Sequence, residues 1–256
     1  MFADLVVGTS IGAINGAIVA TDPVAAAATL SHVWTTLDAD IILRRGVLRR
    51  IFTVARNRTY FYDTRGLAEL VEKVLGDIAI EDLAVPYTAI ALDVESANAV
   101  SLTSGPVLSA ILASSAIPGL FPPVSRDGRL LYDGGLVQNV PITHALDRGA
   151  GSIVVLDCGS ADRLAAPTSI ATAMLYASTV AMSQQLKRDL PDVAEKVPVV
   201  YLPCPVLPLV SPLDFTRTNQ LIESSYATAR AFLATLHVEG VGFYGMDPIP
   251  GPLGTL

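Results

Sequence analysis

The stretch Leu5-Val6-Val7-Gly8-Thr9-Ser10-Ile11-Gly12-Ala13-Ile14 constrains this chain more than any other. Leu5 to Val7 reads as a short buried strand, and the apolar run from Ile11 to about Ala20 reads as a helix. The two are joined through Gly8-Thr9-Ser10-Ile11-Gly12, a G-x-S-x-G. A strand that passes into a helix this abruptly makes an elbow. It holds the central residue exposed and strained, so the flanking residues must be small. Gly8 and Gly12 meet that demand. Such a strand-to-helix connection is the start of an alternation of strands and helices.

The rest of the chain continues the alternation. Asp22-Pro23 marks the start of a second helix through Leu37, and Arg65 to Leu75 carries Leu67, Leu70, Val71, Val74 and Leu75 on one helical face. Tyr87 to Leu92 reads as a strand, with Ala99 to Leu102 as its partner. A helix then stops at Pro118-Gly119, and Arg129 to Tyr132 forms a strand that ends in Asp133-Gly134-Gly135. Ile142 to Arg148, Ile170 to Leu190 and Arg217 to Leu236 read as helices, separated by the strands "SIVVLD" and "VPVVYLP". Residues 240–256, rich in Gly and Pro, read as a loop tail. The expectation is one α/β domain over residues 1–256, with a mostly parallel sheet covered by helices on both faces, a three-layer α/β/α arrangement.

Composition narrows the function. The chain has 256 residues, about half of them apolar, 16% charged, and a net charge of −7. That argues against a general nucleic-acid binder. No apolar run reaches the ~18 residues of a membrane span. The first twenty residues lack a basic leader region and carry Asp4, Ser10 and Asn15, so they read as folded core and not as a signal peptide. Cys158 and Cys204 lie far apart, without metal-ligand spacing. No phosphate loop or metal cluster is evident, and neither a cofactor nor a metal is expected. The expected setting is cytoplasmic, either free or at a membrane surface.

A serine hydroxyl is a poor nucleophile until a base takes its proton. Two sources of a base are open. In an α/β-hydrolase the order is Ser, Asp, His, and His144 and His237 both follow Ser10. Both, like His32, fall in or at the end of ordinary helices. The other source is Asp133, at a strand end, where Gly134 and Gly135 let the backbone pass close to another element. A carboxylate within reach of Ser10 can act as the base directly. A simple Asp-Gly-Gly turn has the same sequence, and spacing does not choose between them. The backbone N–H of Ile11, at the start of a helix, is a candidate oxyanion donor.

Three ordered blocks, "DLVVGTSIGAINGA", "ILASSAIPGLFPPV" and "LLYDGGLVQNVPITHALDRGAGSIVVLD", together resemble the patatin-like phospholipases, and the likeness extends to about Leu236. The resemblance implies a Ser-Asp dyad without histidine. Ser10 would be the nucleophile and Asp133, opening the D-G-[AG] element completed by Gly134 and Gly135, the general base. It implies lipid acyl-ester hydrolysis through an acyl-serine. The alternatives are a catalytically inactive lipid-binding or regulatory protein on the same fold, or an α/β-hydrolase with a Ser-Asp-His triad. The family carries a strand and a glycine-rich oxyanion loop ahead of the elbow. Only nine residues precede Ser10 here, so an N-terminally truncated sequence is expected, poorly stable and nearly inactive in this form.

One further stretch stands out. Arg44, Arg45, Arg49, Arg50, Arg56, Arg58 and Arg65 are interleaved with Leu43, Val47, Leu48, Ile51, Phe52 and Val54. The span Arg44–Arg65 reads either as a basic amphipathic lid, making peripheral membrane contact through anionic head groups, or as a solvated face beside the site.

Overall fold

The computed structural model describes residues 3–37, 60–157, 167, 170–204 and 215–245. The chain is α/β and forms two compact units, Met1–Pro141 and Ile142–Leu256. Among the described residues no helix is long and apolar enough to cross a membrane.

The first unit is built on strand β2 (Tyr87–Asp93). One edge of β2 carries β3 (Ala99–Leu102), antiparallel along Ala89–Leu92. The other edge is shared by two strands. β1 (Val6–Thr9) runs parallel to it, from Val6 opposite Tyr87 to Thr9 opposite Ile90. β5 (Arg129–Asp133) runs antiparallel, from Leu131 opposite Asp93 to Asp133 opposite Ala91. Thus β1 and β5 advance toward each other along one edge and stop tip to tip. Short β4 (Val124–Arg126) closes a hairpin onto β5.

Two helices cover the face that bears the core. α1 (Ile11–Thr21) follows β1 without a loop, and α4 (Val107–Ser114) precedes the β4–β5 hairpin. Ala13, Ala17 and Ala20 of α1, and Ala110 and Ala113 of α4, are fully buried with Ala89 and Ala91 of β2. Alanine at these positions lets helix and sheet backbones approach closely. Larger side chains fill the remaining space: Ile111, Val107, Leu131, and Leu67 and Val71 of α3 (Arg65–Leu75). Tyr87 is buried in the same cluster, and its hydroxyl donates to the Ala13 carbonyl at 2.8 Å. Helix α2 (Ala26–Thr36) begins later than Pro23 suggests. Asp22 nonetheless accepts the Val24 and Ala25 amides, each at 3.0 Å.

The second unit has a wholly parallel sheet in the order β6 (Ile153–Val155), β7 (Pro198–Tyr201), β8 (Gly242–Gly245). β8 lies within the tail expected to be loop. That expectation is corrected here: glycines mark its ends, but Phe243 and Tyr244 between them pair with Val199 and Val200. Before β6 comes α6 (Ile142–Asp147), and between β6 and β7 lies α7 (Ile170–Ala194). α7 runs past Leu190, the end expected from the sequence, and contains Pro191. A later helix, α8, spans Thr218–Thr235.

Candidate functional site

The tip-to-tip ending of β1 and β5 brings together two residues 123 positions apart. Alternation along β1 puts Val6 and Gly8 on the face that carries α1, and Ser10 follows directly after the strand's last residue, Thr9. Alternation along β5 sends Leu131 and Asp133 to that same face. The Ser10 hydroxyl donates to Asp133 Oδ2 at 2.6 Å. Hydrogen bonds to an ionised acceptor are characteristically this short.

The backbone around Ser10 is strained. Its φ is 55° and ψ −121°, a region costing non-glycine residues about 1–3 kcal/mol. The elbow can close this tightly because of Gly8. A Cβ there would lie 2.2 Å from the Gly12 carbonyl oxygen. Gly12 itself faces open space, so the steric demand falls on one glycine of the pair. Helix α1 begins immediately at Ile11. The Ile11 amide is among the first N–H groups of the helix, which have no carbonyl one turn back. Thr9, the last residue of β1, donates its hydroxyl to the Gln138 carbonyl at 2.8 Å, which ties the strand end to short helix α5 (Gly135–Gln138).

Asp133 is buried, with 3% of its surface exposed. Its Oδ1 accepts the Gly135 N–H at 2.7 Å, and its own N–H donates to the Ala116 carbonyl at 2.9 Å. Burial pushes its carboxyl up to about 6, and the hydrogen bonds from Ser10 and Gly135 act against that rise. Gly134 is obligatory for contact: a Cβ would sit 2.3 Å from the Ile90 carbonyl oxygen. The arrangement sets a half-buried hydroxyl, at a helix start, against a carboxylate with raised proton affinity. Such a carboxylate can take a serine proton as the oxygen attacks an electrophilic carbon.

The histidines are placed otherwise. Among the described residues no histidine nitrogen is hydrogen-bonded to Ser10. His32 is exposed on α2, and His237 is exposed with Nδ1 3.0 Å from the Thr235 carbonyl. His144 lies on α6, where burial lowers its proton affinity and Asp147 and Asp189 oppose that. Of the basic stretch, Arg44, Arg45, Arg49, Arg50, Arg56 and Arg58 lie outside the described residues, as does Cys158. Arg65 begins α3 and pairs with Asp63 at 2.7 Å.

Ser114 is the site residue that sequence reading missed. It is fully buried, accepts the Ser10 N–H at 2.9 Å, and donates to the Ile90 carbonyl at 2.6 Å. The available signal was a hydroxyl ending an apolar helix, since a buried hydroxyl must find partners.

Known proteins carry the same sequence elements. The Patatin family model, described as patatin-like phospholipase, matches residues 1–146. An uncharacterised NTE family protein of Mycobacterium tuberculosis is 43% identical over 76 residues, covering 30% of this chain and 21% of that protein. Mouse patatin-like phospholipase domain-containing protein 7 is 30% identical over 163 residues, 62% of this chain and 12% of its own length. A Phaeosphaeria nodorum protein named Lysophospholipase NTE1 is 25% identical across 93% of this chain, which covers 17% of it. The chain thus spans about a fifth or less of the length of these relatives. With more than half of its residues matched by the family model, including the elbow and Asp133-Gly134-Gly135, the chain belongs to the patatin-like phospholipase family.

Proposed function

We propose that this chain hydrolyses lipid acyl esters, with Ser10 as nucleophile and Asp133 as general base. The observation that carries the reading is the 2.6 Å hydrogen bond from Ser10 to a buried carboxylate, made at a strained elbow. Asp133 takes the proton from Ser10 Oγ as that oxygen attacks the ester carbonyl carbon. The carbonyl oxygen becomes an oxyanion, and the Ile11 N–H at the start of α1 is its donor from this chain. Collapse breaks the carbon–oxygen bond to the alcohol, which leaves with the proton held on Asp133. Water then attacks the acyl-serine and gives its proton to Asp133. The second collapse releases the fatty acid, and the proton returns to Ser10 Oγ.

The raised proton affinity of Asp133 serves this cycle. A carboxyl titrating near 6 is ionised at neutral pH yet more basic than an exposed aspartate. The relative named as a lysophospholipase favours a lysophospholipid as the ester to try first. The experiment uses the protein expressed from its full reading frame and a fluorophosphonate probe. Covalent labelling that maps to Ser10, lost in Ser10→Ala along with lysophospholipid hydrolysis, is the expected result. A protein that binds lipid but neither labels nor hydrolyses would refute the proposal.

A further inference from the structure

We infer that Ser114 is a positioning residue whose hydroxyl forms an inserted rung of the β1–β2 ladder and so holds the Ser10 backbone in place. The geometry stands by itself; the consequence for rate rests on the reading of Ser10 as nucleophile.

Parallel strands exchange hydrogen bonds at two-residue intervals. The Val6 N–H donates to the Pro86 carbonyl at 2.9 Å. Carried along the register, the series reaches Ser10 and Ile90 two intervals later. That rung is not made directly. The Ser10 N–H instead donates to Ser114 Oγ at 2.9 Å, and the Ser114 hydroxyl donates onward to the Ile90 carbonyl at 2.6 Å. One hydroxyl accepts from one strand and donates to the other.

The reason lies in the junction. Ser10 leaves the line of β1 with φ 55°, and Gly134 is pressed against the Ile90 carbonyl from the tip of β5. Strand pairing is interrupted there, and a bare junction would leave the Ser10 N–H and the buried Ile90 C=O without partners. Ser114 satisfies both from a rigid base. It ends α4, whose Ala110 and Ile111 are fully buried, and the following Ser115 N–H closes onto the Ile111 carbonyl at 2.9 Å. The same segment grips the other partner, since the Ala116 carbonyl accepts the Asp133 N–H at 2.9 Å. Residues 114–116 therefore hold the backbones of both Ser10 and Asp133, and with them the spacing of hydroxyl and carboxylate.

The test reads rate per active site, not total activity. In Ser114→Ala, kcat per fluorophosphonate-titrated site is expected to fall about 10–100-fold with KM within threefold, because the reacting geometry loosens while substrate contacts remain. Ser114→Cys, similar in size but a weaker hydrogen-bonding group, should fall between, and it serves if the alanine variant does not fold. A residue that merely fills the core would lower the titre and melting temperature and leave kcat per site unchanged. That result overturns the inference. In the wild-type protein the Ser10 amide should exchange with deuterium at least about 100-fold more slowly than the Ile11 amide, because only the former has an acceptor. Equal, fast exchange overturns the relay whatever the variants do. A protected Ser10 amide with labelling at another residue would leave the relay standing and sink the hydrolase reading instead.

Discussion

Among the described residues, two short hydroxyl–carboxylate hydrogen bonds are made at the carboxyl ends of strands. In the first unit Ser10 donates to Asp133 at 2.6 Å, and in the second Tyr201 donates to Asp157 at 2.5 Å. The bonds alike are short. Their settings differ. Tyr201 closes an unbroken strand with ordinary backbone, and its neighbour Leu202 continues the pairing by donating to the Val155 carbonyl. Ser10 sits where a strand is cut off, with a left-handed φ, a glycine pressed against the next turn, and a helix starting at once. On the proposed reading of Ser10 as nucleophile, the contrast teaches that a short hydrogen bond to a carboxylate is not enough to make a reactive centre. Strain, a helix N-terminus and burial of the acid separate the first pair from the second.

Substitutions can break that contrast. Asp133→Asn should cut ester hydrolysis about 10²–10⁴-fold, the usual worth of a general base, in a steady-state assay. Tyr201→Phe, the parallel change in the second unit, should leave kcat within twofold. Equal losses would dissolve the distinction between the pairs.

Glycines sharpen it next. Gly134→Ala would drive a Cβ to 2.3 Å from the Ile90 carbonyl, and Gly8→Ala to 2.2 Å from that of Gly12. Each should destabilise the protein by about 1–3 kcal/mol in denaturant titration, from overpacking against backbone. Gly12→Ala meets nothing within 4 Å and lies in α1, so it should be neutral or stabilise by up to about 1 kcal/mol.

The pH dependence of stability follows from Asp133. Its carboxyl titrates near 6 when folded, against 3.8 as the ordinary value. Well below pH 4 both folded and unfolded chains are protonated there, and no charge is buried on folding. As pH rises from about 4 to 6 the unfolded chain gives up the proton first, so stability falls, by a total of about 3 kcal/mol. Asp133→Asn should thus match the wild type well below pH 4 and become more stable by up to that amount above pH 7, read by thermal melting. A variant less stable at pH 8 than the wild type would show that the charge is not held at a cost. The smallest effect belongs to the second unit, where Tyr201→Phe should cost about 1 kcal/mol for one hydrogen bond.

Local chemistry was readable in the sequence, and long-range pairing was not. The elbow at Gly8 to Gly12, the strand at Tyr87 and the helices α1, α3 and α8 follow from β-branched runs, helical periodicity and turn residues, all of which act within a few positions. Asp133 could be picked out as a candidate, but no local rule says that β5 meets β1 head-on. That depends on β2 lending one edge to both strands. β4 is only three residues long, too short for a period to register. β8 was hidden by its glycines, and α7 continues through Pro191. Ser114 carries no motif of its own. Its part is set by Ile90 and Ser10, 24 and 104 residues away.

The central claim is that Asp133, and no histidine, serves as the base for Ser10. It is tested most directly by the pH profile of kcat/KM for ester hydrolysis after replacing His32, His144 and His237 together with glutamine or asparagine. The account predicts kcat/KM within a few-fold of the wild type, with the acid limb still near pH 6. A fall to the level of Ser10→Ala would contradict it.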